Sequence, residues 1–375
     1  MTRHDVIILG GGIIGGALAD ELARRGRSVC LIERGRMGDE ASKAAAGILS
    51  AQMDLERPGP LFEFCQLARR LYPGWVRHLE RRGGAPIGWH QDGILYAILS
   101  AADGRRMAHR MRWQRKLGHR VERWSRAQAL RREPSLNPAI REALFFPTEG
   151  QLDNVRLMDA LSRACRAAGV RVMERTVAMT LELRRNRVNG VRTDRGIIRA
   201  PVIVNSLGSW SPLLGSLSLQ APIAPARGQM LAFTAPHDSL RHVVMSEAGY
   251  AVQRRDGRLI AGSTVEFVGF DKALTFAGIR TIAAGCARLF TPALLEQCRL
   301  IDTWTGLRPC SLDRQPILGA TRLKGYYVAT GHFRHGILLA PATAKVMAEL
   351  ILTGRSSFDL KPFSLNRFHP TSGKR

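Results

Sequence analysis

Short apolar runs and a helical repeat alternate through the first part of the chain. Residues 6–9 are four apolar side chains rich in β-branched residues, as expected for a strand buried on both faces. Leu18 and Leu22 then recur at helical spacing up to Gly26, and residues 28–32 form a second apolar run. The pattern predicts a strand, a helix and a second strand, the unit from which parallel sheets are built.

The remainder of the chain follows two patterns. One pattern indicates a helix at residues 155–168 and a closing helix after 329. It also indicates strands at 170–174, 202–205 and 326–329, and a hairpin near 186–190. Residues 81–150 and 219–299 instead alternate short strands with turns, and Asp256-Gly257 is typical of a hairpin turn. The chain is therefore predicted to be α/β, with a parallel-sheet domain interrupted by an α+β domain that has a mainly antiparallel sheet.

Three glycines follow the first predicted strand in a G-x-G-x-x-G pattern. Gly10 permits a tight turn, Gly12 lets backbone approach a pyrophosphate, and Gly15 lets the helix pack closely on the strand. Glu33 ends the second strand, where a carboxylate holds both ribose hydroxyls and disfavours a 2′-phosphate. The unit predicts dinucleotide binding and argues against NADP, and it leaves the choice between FAD and NAD open.

Charge changes the picture of partners. The 375 residues carry a net charge of +25, with 56 basic residues against 31 acidic ones. The basic residues are scattered as singles and pairs, with no block of five, so no dedicated nucleic-acid partner is expected. A genome-wide arginine bias and weak contact with an anionic membrane surface both remain open, and the dense stretch 105–132 is interpreted as a solvated helical face.

Cysteine spacing and apolar run length narrow the class of protein further. The six cysteines form no C-x-x-C pair, which indicates reduced thiols and neither a disulfide framework nor a metal site. No apolar run approaches the roughly 20 residues of a membrane span, and residues 6–9 are too few for a signal peptide core. A cytoplasmic protein is expected.

Arg308 lies in an apolar stretch near the end of the chain, TWTGLRPCSLDRQPILG at residues 303–319. A guanidinium stays charged in a protein, and burying it without a partner costs several kcal/mol. The stretch alone leaves two interpretations open, an ion pair with a buried carboxylate and a contact with a substrate carboxylate.

The sequence after Glu33 and several later segments carry a family resemblance. Residues 34–50, RGRMGDEASKAAAGILS, resemble the flavin loop of the D-amino-acid oxidase-like FAD oxidoreductases, and most closely that of the glycine oxidases of thiamine biosynthesis. The resemblance covers almost the whole chain. Its most specific segments are GLRP…D…PILG, within residues 303–319, and GHFRHGILLAPATA, residues 331–344.

The resemblance implies a fold and a cofactor. It implies a discontinuous Rossmann-like FAD-binding domain (1–80, 151–218 and 300–365), a substrate domain (81–150 and 219–299) and a loose C-terminal tail (366–375). It implies non-covalent FAD held by Gly10, Gly12, Ile13, Ile14, Gly15, Glu33, Arg34, Ser42, Lys43, Ala46, Gly47, Ile48, Val177, His332, Phe333, Arg334, His335, Gly336, Ile337 and Leu338. Lys43 stands where relatives carry a small hydroxyl residue, and we expect it to add positive charge near the phosphates or flavin.

The resemblance also implies a reaction. Arg308 and Tyr250 are expected to bind the substrate carboxylate, with Arg334 as a further contact and the N-terminus of the last helix aimed at the flavin. That helix is predicted to begin near Ala340, with Pro341 in its first turn. The implied reaction is oxidation of glycine, sarcosine or a small D-amino acid to an imine, with O2 reduced to peroxide. A membrane-associated dehydrogenase that passes electrons to quinone remains the alternative function, and a nucleic-acid-associated flavoprotein is a remote alternative. The resemblance also leads us to expect a homo-oligomer, either a tetramer or a dimer.

Overall fold

The computed structural model describes residues 3–214 and 222–368. The helices within these ranges are α1 (Ile13–Arg24), α2 (Pro60–Gly83), α3 (Ala101–Lys116), α4 (Arg126–Arg132), α5 (Asn154–Ala167), α6 (Phe276–Leu289), α7 (Pro292–Gln297) and α8 (Gly336–Thr353). The strands are β1 (Val6–Leu9), β2 (Val29–Ile32), β3 (Ile48–Leu49), β4 (Ile94–Ile98), β5 (Glu122–Ser125), β6 (Glu142–Phe146), β7 (Gly150–Gln151), β8 (Arg171–Met173), β9 (Ala178–Arg184), β10 (Arg187–Thr193), β11 (Gly196–Arg199), β12 (Val202–Asn205), β13 (Ile223–Thr234), β14 (Val243–Ser246), β15 (Gly249–Gln253), β16 (Arg258–Gly262), β17 (Arg299–Ser311), β18 (Ile317–Ala320) and β19 (Tyr326–Thr330).

A six-stranded sheet in the order β18-β19-β12-β1-β2-β8 carries the predicted dinucleotide unit. All its pairs are parallel except β18 with β19. The strand β1 lies at its centre, with Ile7 opposite Ile203 on one side and Cys30 on the other, and its four residues are buried. The continuous apolar runs are therefore strands covered on both faces, which confirms the predicted α/β class.

Four helices cover one face of this sheet. The helices α1, α2, α5 and α8 pack against one another around a core that includes Leu18, Phe64, Leu161 and Met347. Their apolar side chains supply most of the largest buried cluster of the described residues. The N-termini of α1 and α8 come together at the carboxyl edge of the sheet, where β1 and β19 end.

An eight-stranded sheet in the order β17-β13-β16-β15-β14-β4-β6-β5 lies beside the first. Its pairs are antiparallel except β14 with β4, and the hairpin β15–β16 turns at the predicted Asp256-Gly257. Residues 223–234 of β13 pair with 299–311 of β17 along their whole length. Residues 300–311, which were assigned to the predicted FAD-binding domain, thus form part of the larger sheet. The domain boundaries stay a prediction.

The last helix begins earlier than predicted. It starts at Gly336, so Pro341 lies inside α8 and not in its first turn. Proline has no N–H to donate to the carbonyl four residues before it, which here belongs to Ile337. The Tyr72 hydroxyl of α2 donates to that Ile337 oxygen at 2.7 Å, so the helix passes through the proline with the carbonyl satisfied.

By length and composition α8 is also apolar enough to span a membrane, and no other described helix is. Its 18 residues are 61% buried within the protein, as is typical of a core helix.

The C-terminal segment is partly ordered, in contrast to the predicted loose tail. Residues Leu365–Phe368 form a 3₁₀ turn, and Arg367 holds both carboxylate oxygens of Asp313 at 2.7 and 2.9 Å. The prediction is therefore wrong for residues 366–368, because an ion pair fixes them. Residues 369–375 of the predicted tail lie outside the described residues, as do 215–221 at the predicted junction of the domains.

Candidate active site

A cavity of about 600 Å³ lies between the two sheets, within the roughly 300–1,000 Å³ of small-molecule sites. Its walls come from the first turn of α1, the loop after β2, the loop after β3, the turn after β12, the strands β13, β14, β15 and β17, and the first turn of α8. Of the predicted site residues it is lined by Gly10, Gly12, Ile13, Ile14, Glu33, Arg34, Ser42, Ala46, Gly47, Ile48, Tyr250, Arg308, His332, Phe333, Arg334, Gly336 and Ile337.

The glycines at one end of the cavity are required by close backbone contacts. Gly10 has a φ of +97°, and a Cβ there would lie 2.5 Å from the Ser206 carbonyl oxygen. A Cβ on Gly15 would lie 2.0 Å from the Gly10 oxygen, so Gly15 permits the predicted close packing of helix on strand. Gly12 is the N-cap of α1 and has no side-chain oxygen to cap the helix. The Ile13 N–H donates to Ser42 Oγ at 2.9 Å, so this helix N-terminus offers the following N–H groups and its partial positive charge to an anion in the cavity.

Glu33 is fixed beside these glycines. Its two carboxylate oxygens accept hydrogen bonds from the backbone N–H groups of Gly11 and Gly35, at 2.7 and 2.8 Å. Each oxygen keeps a free lone pair, and the side chain lines the cavity. The carboxylate is thus held in position for a ligand hydroxyl, as the sequence predicts.

The loop after Glu33 is braced by a buried arginine that sequence analysis missed. Arg254, which follows β15, donates to the carbonyls of Ala46 and Leu152 at 2.8 and 2.6 Å, and also to Asn154 Oδ1 at 3.1 Å. Asn154 in turn donates to the carbonyls of Ser42 and Lys43 at 3.0 and 2.8 Å. Arg254 lies more than 200 residues from this loop, so no local sequence pattern indicates the contact.

Arg308 projects from β17 into the cavity. Its Nη2 donates to Ser263 Oγ at 2.8 Å and its Nη1 to the Thr264 carbonyl at 3.2 Å, and no carboxylate of the described residues forms a salt bridge with it. Burial lowers the pKa of Arg308, and the neighbouring Tyr250 hydroxyl opposes that shift. The first interpretation from the sequence, a structural ion pair, is therefore not what the described residues form. The arrangement is a charged fork suited to an anionic ligand.

The first turn of α8 forms the wall next to Arg308. His332 and His335 are buried, and burial lowers the pKa of both, to about 3 for His332, so that both rings are neutral near pH 7. Phe333 has a φ of +48°, an unusual backbone for a bulky residue, and its N–H is held by the Pro309 carbonyl at 2.9 Å. Arg334 is exposed and lies at the cavity edge, with its guanidinium 5.3 Å from the Phe333 ring.

Five predicted cofactor contacts are absent from the lining of this cavity. The Lys43 ammonium pairs with Asp39 and Asp159 at 3.5 and 3.2 Å, so two carboxylates outside the cavity balance the charge expected near the phosphates. The N–H and carbonyl of Val177 are both bonded to Asp194, at 2.9 and 3.2 Å, and the contact through this backbone stays a prediction. The other three are Gly15, His335 and Leu338, which support the wall from behind.

The far part of the cavity was not predicted. It is lined by Met53, Asp54, Glu56, Tyr96, Arg106, Arg110, Met245 and Glu247. Arg110 is 6% exposed and donates to the Leu55 carbonyl at 3.0 Å, which corrects the interpretation of residues 105–132 as a wholly solvated face. Only the pairing of distant elements brings these side chains to one space, so their sequence positions carry no sign of it.

Comparisons with known proteins agree with this geometry. Residues 5–350 match the DAO family model, described as FAD dependent oxidoreductase. The glycine oxidase of Geobacillus kaustophilus is 33% identical over 97% of each chain. The bifunctional protein ThiO/ThiG of Synechocystis sp. is 35% identical over 99% of this chain, which spans 55% of that relative's length. A crystal structure of glycine oxidase from Geobacillus kaustophilus has a TM-score of 0.94 and 32% identity, and the match covers 98% of this chain and 99% of that one.

Proposed function

Because the chain belongs to the DAO family of FAD-dependent oxidoreductases, we propose that it catalyses the oxidative deamination of glycine. In the proposed reaction glycine, O2 and water become glyoxylate, ammonia and hydrogen peroxide, or the imine is consumed by thiazole synthesis for thiamine. The names and full-length similarity of the glycine oxidase and ThiO/ThiG relatives support this substrate and this use of its product. Sarcosine and small D-amino acids are further substrates to be tested.

The residues of the cavity fit FAD. Its glycine-lined end has the N-terminus of α1, with Ser42 beside it, for a pyrophosphate and the fixed Glu33 carboxylate for ribose hydroxyls. The loop that includes Ala46 and Gly47 and the first turn of α8 form the walls for a flat ring system. FAD bound there would supply the acceptor for two electrons from the substrate and pass them to O2. The Cys310 thiol does not line the cavity, which favours non-covalent binding.

One observation supports an amino-acid substrate above all, the unpaired guanidinium of Arg308 in the wall of the cavity. A carboxylate fits this fork bidentately, and the Tyr250 hydroxyl beside it is a second donor. Such a clamp would hold the α-carbon of a small amino acid in one orientation, which is the main demand of this reaction. The positive end of α8 would favour negative charge that develops on the ring system beside it.

The proposal is tested by mixing the purified holoenzyme with glycine in air and following peroxide, with sarcosine and D-alanine alongside. Arg308→Ala should lower kcat/KM by roughly 10²-fold or more while FAD absorbance and Tm stay near wild type. Arg280→Ala, which removes an exposed arginine of α6, is the matched control and should leave kcat/KM unchanged.

Two outcomes would change the proposal. Flavin that is reduced by glycine and reoxidised by quinone but not by O2 would identify the alternative dehydrogenase. Flavin that no small amino acid reduces would overturn the substrate class and leave the family intact.

We also propose a cytoplasmic homo-oligomer, dimer or tetramer. Exposed phenylalanines before and at the start of α6, Phe267, Phe270 and Phe276, are 58%, 41% and 81% exposed, which suits a protein interface. Light scattering after size exclusion tests the oligomer.

Weak contact with anionic membranes is the remaining part of the proposal. The net charge of +25 supports it, and vesicle sedimentation at increasing salt tests it.

A further inference from the structure

Asp54 is a carboxylate in the cavity wall that has no partner among the described residues. Five carboxylates line the cavity, and three of them are engaged: Glu33 with backbone N–H groups, Glu40 with Arg34 and Lys272, and Glu247 with Ser100 and Arg288. The Glu56 side chain has no described partner either, but it is exposed at the mouth. Asp54 is half-buried, and its side chain forms no hydrogen bond or ion pair with a described residue.

The backbone that carries Asp54 is held on both sides. Before it, the Ala51 N–H donates to Glu149 Oε2 at 2.5 Å, and the Gln114 side chain donates to the Gln52 carbonyl at 2.7 Å. After it, the Leu55 carbonyl accepts from Arg110 Nε at 3.0 Å. The free carboxylate is therefore presented by a fixed segment, the arrangement expected where a side chain waits for a ligand.

Asp54 lies within electrostatic reach of the proposed carboxylate clamp. Its charge opposes the lowering of the pKa of Arg308 and of His335 at the start of α8. It forms a salt bridge with neither residue, and Asp54 and Arg308 both line the cavity. Arg106 and Arg110 also line the cavity, but Arg106 pairs with Asp103 and Arg110 donates to the Leu55 carbonyl. Arg308 and Asp54 are thus a cationic and an anionic side chain of one cavity that form no ion pair with a described residue. A neutral ligand or a simple anion uses only part of this pattern, whereas a zwitterion uses both groups.

We propose that Asp54 is a specificity-determining residue that binds the amino group of the substrate while Arg308 binds its carboxylate. The inference rests on the proposed function and specifies its substrate as a ligand with an ammonium or amine next to a carboxylate. Asp54 would select amino acids against hydroxy acids and plain carboxylates, which lack the cationic partner and bring only negative charge toward it.

The test compares two ligands that differ at one group, glycine and glycolate. Asp54→Asn keeps the shape and removes the charge. It should raise the KM for glycine about 10- to 100-fold, as expected for a hydrogen bond to a charged group, and leave the inhibition constant of glycolate unchanged or lower. Asp54→Glu should recover part of the loss. Glu63→Gln, an exposed carboxylate of α2, is the control and should move neither constant.

The two ligands separate recognition from a structural effect. If glycine and glycolate both weaken in Asp54→Asn, the residue only supports the wall and the proposal is overturned. The proposal is also overturned if neither constant changes. A wild-type enzyme that does not oxidise glycine would fail the proposed function instead. In that case the flavin difference spectra with 2-aminoisobutyrate and 2-hydroxyisobutyrate, which have no α-hydrogen to lose, test Asp54 without turnover. A loss of the amino ligand alone supports the proposal, and any other result opposes it.

Discussion

Arg308 can lie flat across the neighbouring strand because Gly228 has no side chain. The strands β13 and β17 pair with Ala226 opposite Arg308 and Gly228 opposite Gly306. A Cβ built on Gly228 would lie 2.1 Å from Arg308 Nη1 and 2.4 Å from Nη2. These distances are far below van der Waals contact, so any side chain at position 228 must displace the guanidinium.

Gly228→Ala should therefore damage substrate binding more than folding. We expect kcat/KM for glycine to fall by roughly tenfold or more, since 1.4 kcal/mol of lost transition-state stabilisation corresponds to that factor. Steady-state kinetics and thermal unfolding of the holoenzyme measure the two effects. Gly74→Ala in α2, where an added Cβ meets nothing within 4 Å, is the control and should keep full activity. Equal activity in both variants would show that Arg308 adjusts freely.

Glu149 is a buried carboxyl group behind the segment that carries Asp54. Burial raises its pKa to about 8, while Arg69 and the N–H groups of Gln52 and Ala51 oppose the shift and the charge of Asp54 adds to it. One of its oxygens, Oε1, is buried without a partner among the described residues. Between pH 4.5 and about 8 the folded protein keeps a proton that the unfolded chain has lost, so rising pH favours unfolding through this group.

Glu149→Gln should remove this pH dependence because the amide cannot ionise. The difference in Tm between variant and wild type should become more favourable to the variant by a few °C from pH 5 to pH 8, and then stay constant. Thermal unfolding across this range measures it, and the wild type provides the reference for all other titrating groups. A difference that does not vary with pH would mean that Glu149 is ionised throughout.

Tyr72 and Pro341 form a pair that joins two helices of the core. The proline leaves the Ile337 carbonyl without its helical donor, and the buried Tyr72 hydroxyl supplies one at 2.7 Å. Without this bond the carbonyl would be a buried acceptor with no partner, which costs about 1–3 kcal/mol.

Tyr72→Phe should lower the free energy of unfolding by about 1–3 kcal/mol without changing the shape of the core. The same substitution in a Pro341→Ala background should cost less, because an alanine at this position would donate its own N–H to the Ile337 carbonyl. Urea unfolding of the four proteins gives the coupling energy. Equal costs in both backgrounds would show that the hydroxyl does not compensate for the proline.

This pair also shows where prediction of elements from the sequence ends. The unit β1–α1–β2 was predicted within a few residues, because its glycines, apolar runs and turn are all local. The start of α8 was predicted four residues late, because a proline within a helix is tolerated only through a partner 265 residues away. The hairpin β9–β10 was predicted, but its turn is tighter than expected, with Arg185 and Asn186 both at positive φ.

The same limit holds for the cavity. Gly10, Gly12 and Glu33 follow from a local motif, and Arg308 stands out because it is an arginine among apolar residues. Arg254 and Gly228 act through contacts with segments far away in sequence, and Asp54 comes to the cavity wall only through the fold. Nothing in the neighbouring sequence of these three residues indicates this. For Lys43 the local sequence suggests a contact that the structure does not show. Its position in the loop suggests a positive charge near the cofactor, but its ammonium pairs with Asp39 and Asp159 outside the cavity.

The charge of the molecule cannot be balanced by ion pairs. With 56 basic and 31 acidic residues, at least 56 − 31 = 25 basic side chains lack an acidic partner even if every carboxylate pairs with a different one. Exposed arginines such as Arg184 and Arg187, at the tip of the hairpin β9–β10, belong to this excess. Their mutual repulsion acts over about 10 Å at 0.1 M salt and over about 30 Å at 0.01 M. Repulsion of this kind destabilises the compact state, where the charges are closest.

Added salt should therefore stabilise this protein. We expect Tm to rise by a few °C between about 10 and 200 mM NaCl, because screening of the excess positive charge outweighs the weakening of exposed ion pairs, each worth about 0–1 kcal/mol. A double variant, Arg184→Glu with Arg187→Glu, lowers the net charge from +25 by four and should show a smaller rise. Thermal unfolding of both proteins over the salt series measures the slopes. If Tm falls with salt in the wild type, the ion pairs stabilise the fold more than the excess charge destabilises it, and the expectation is wrong.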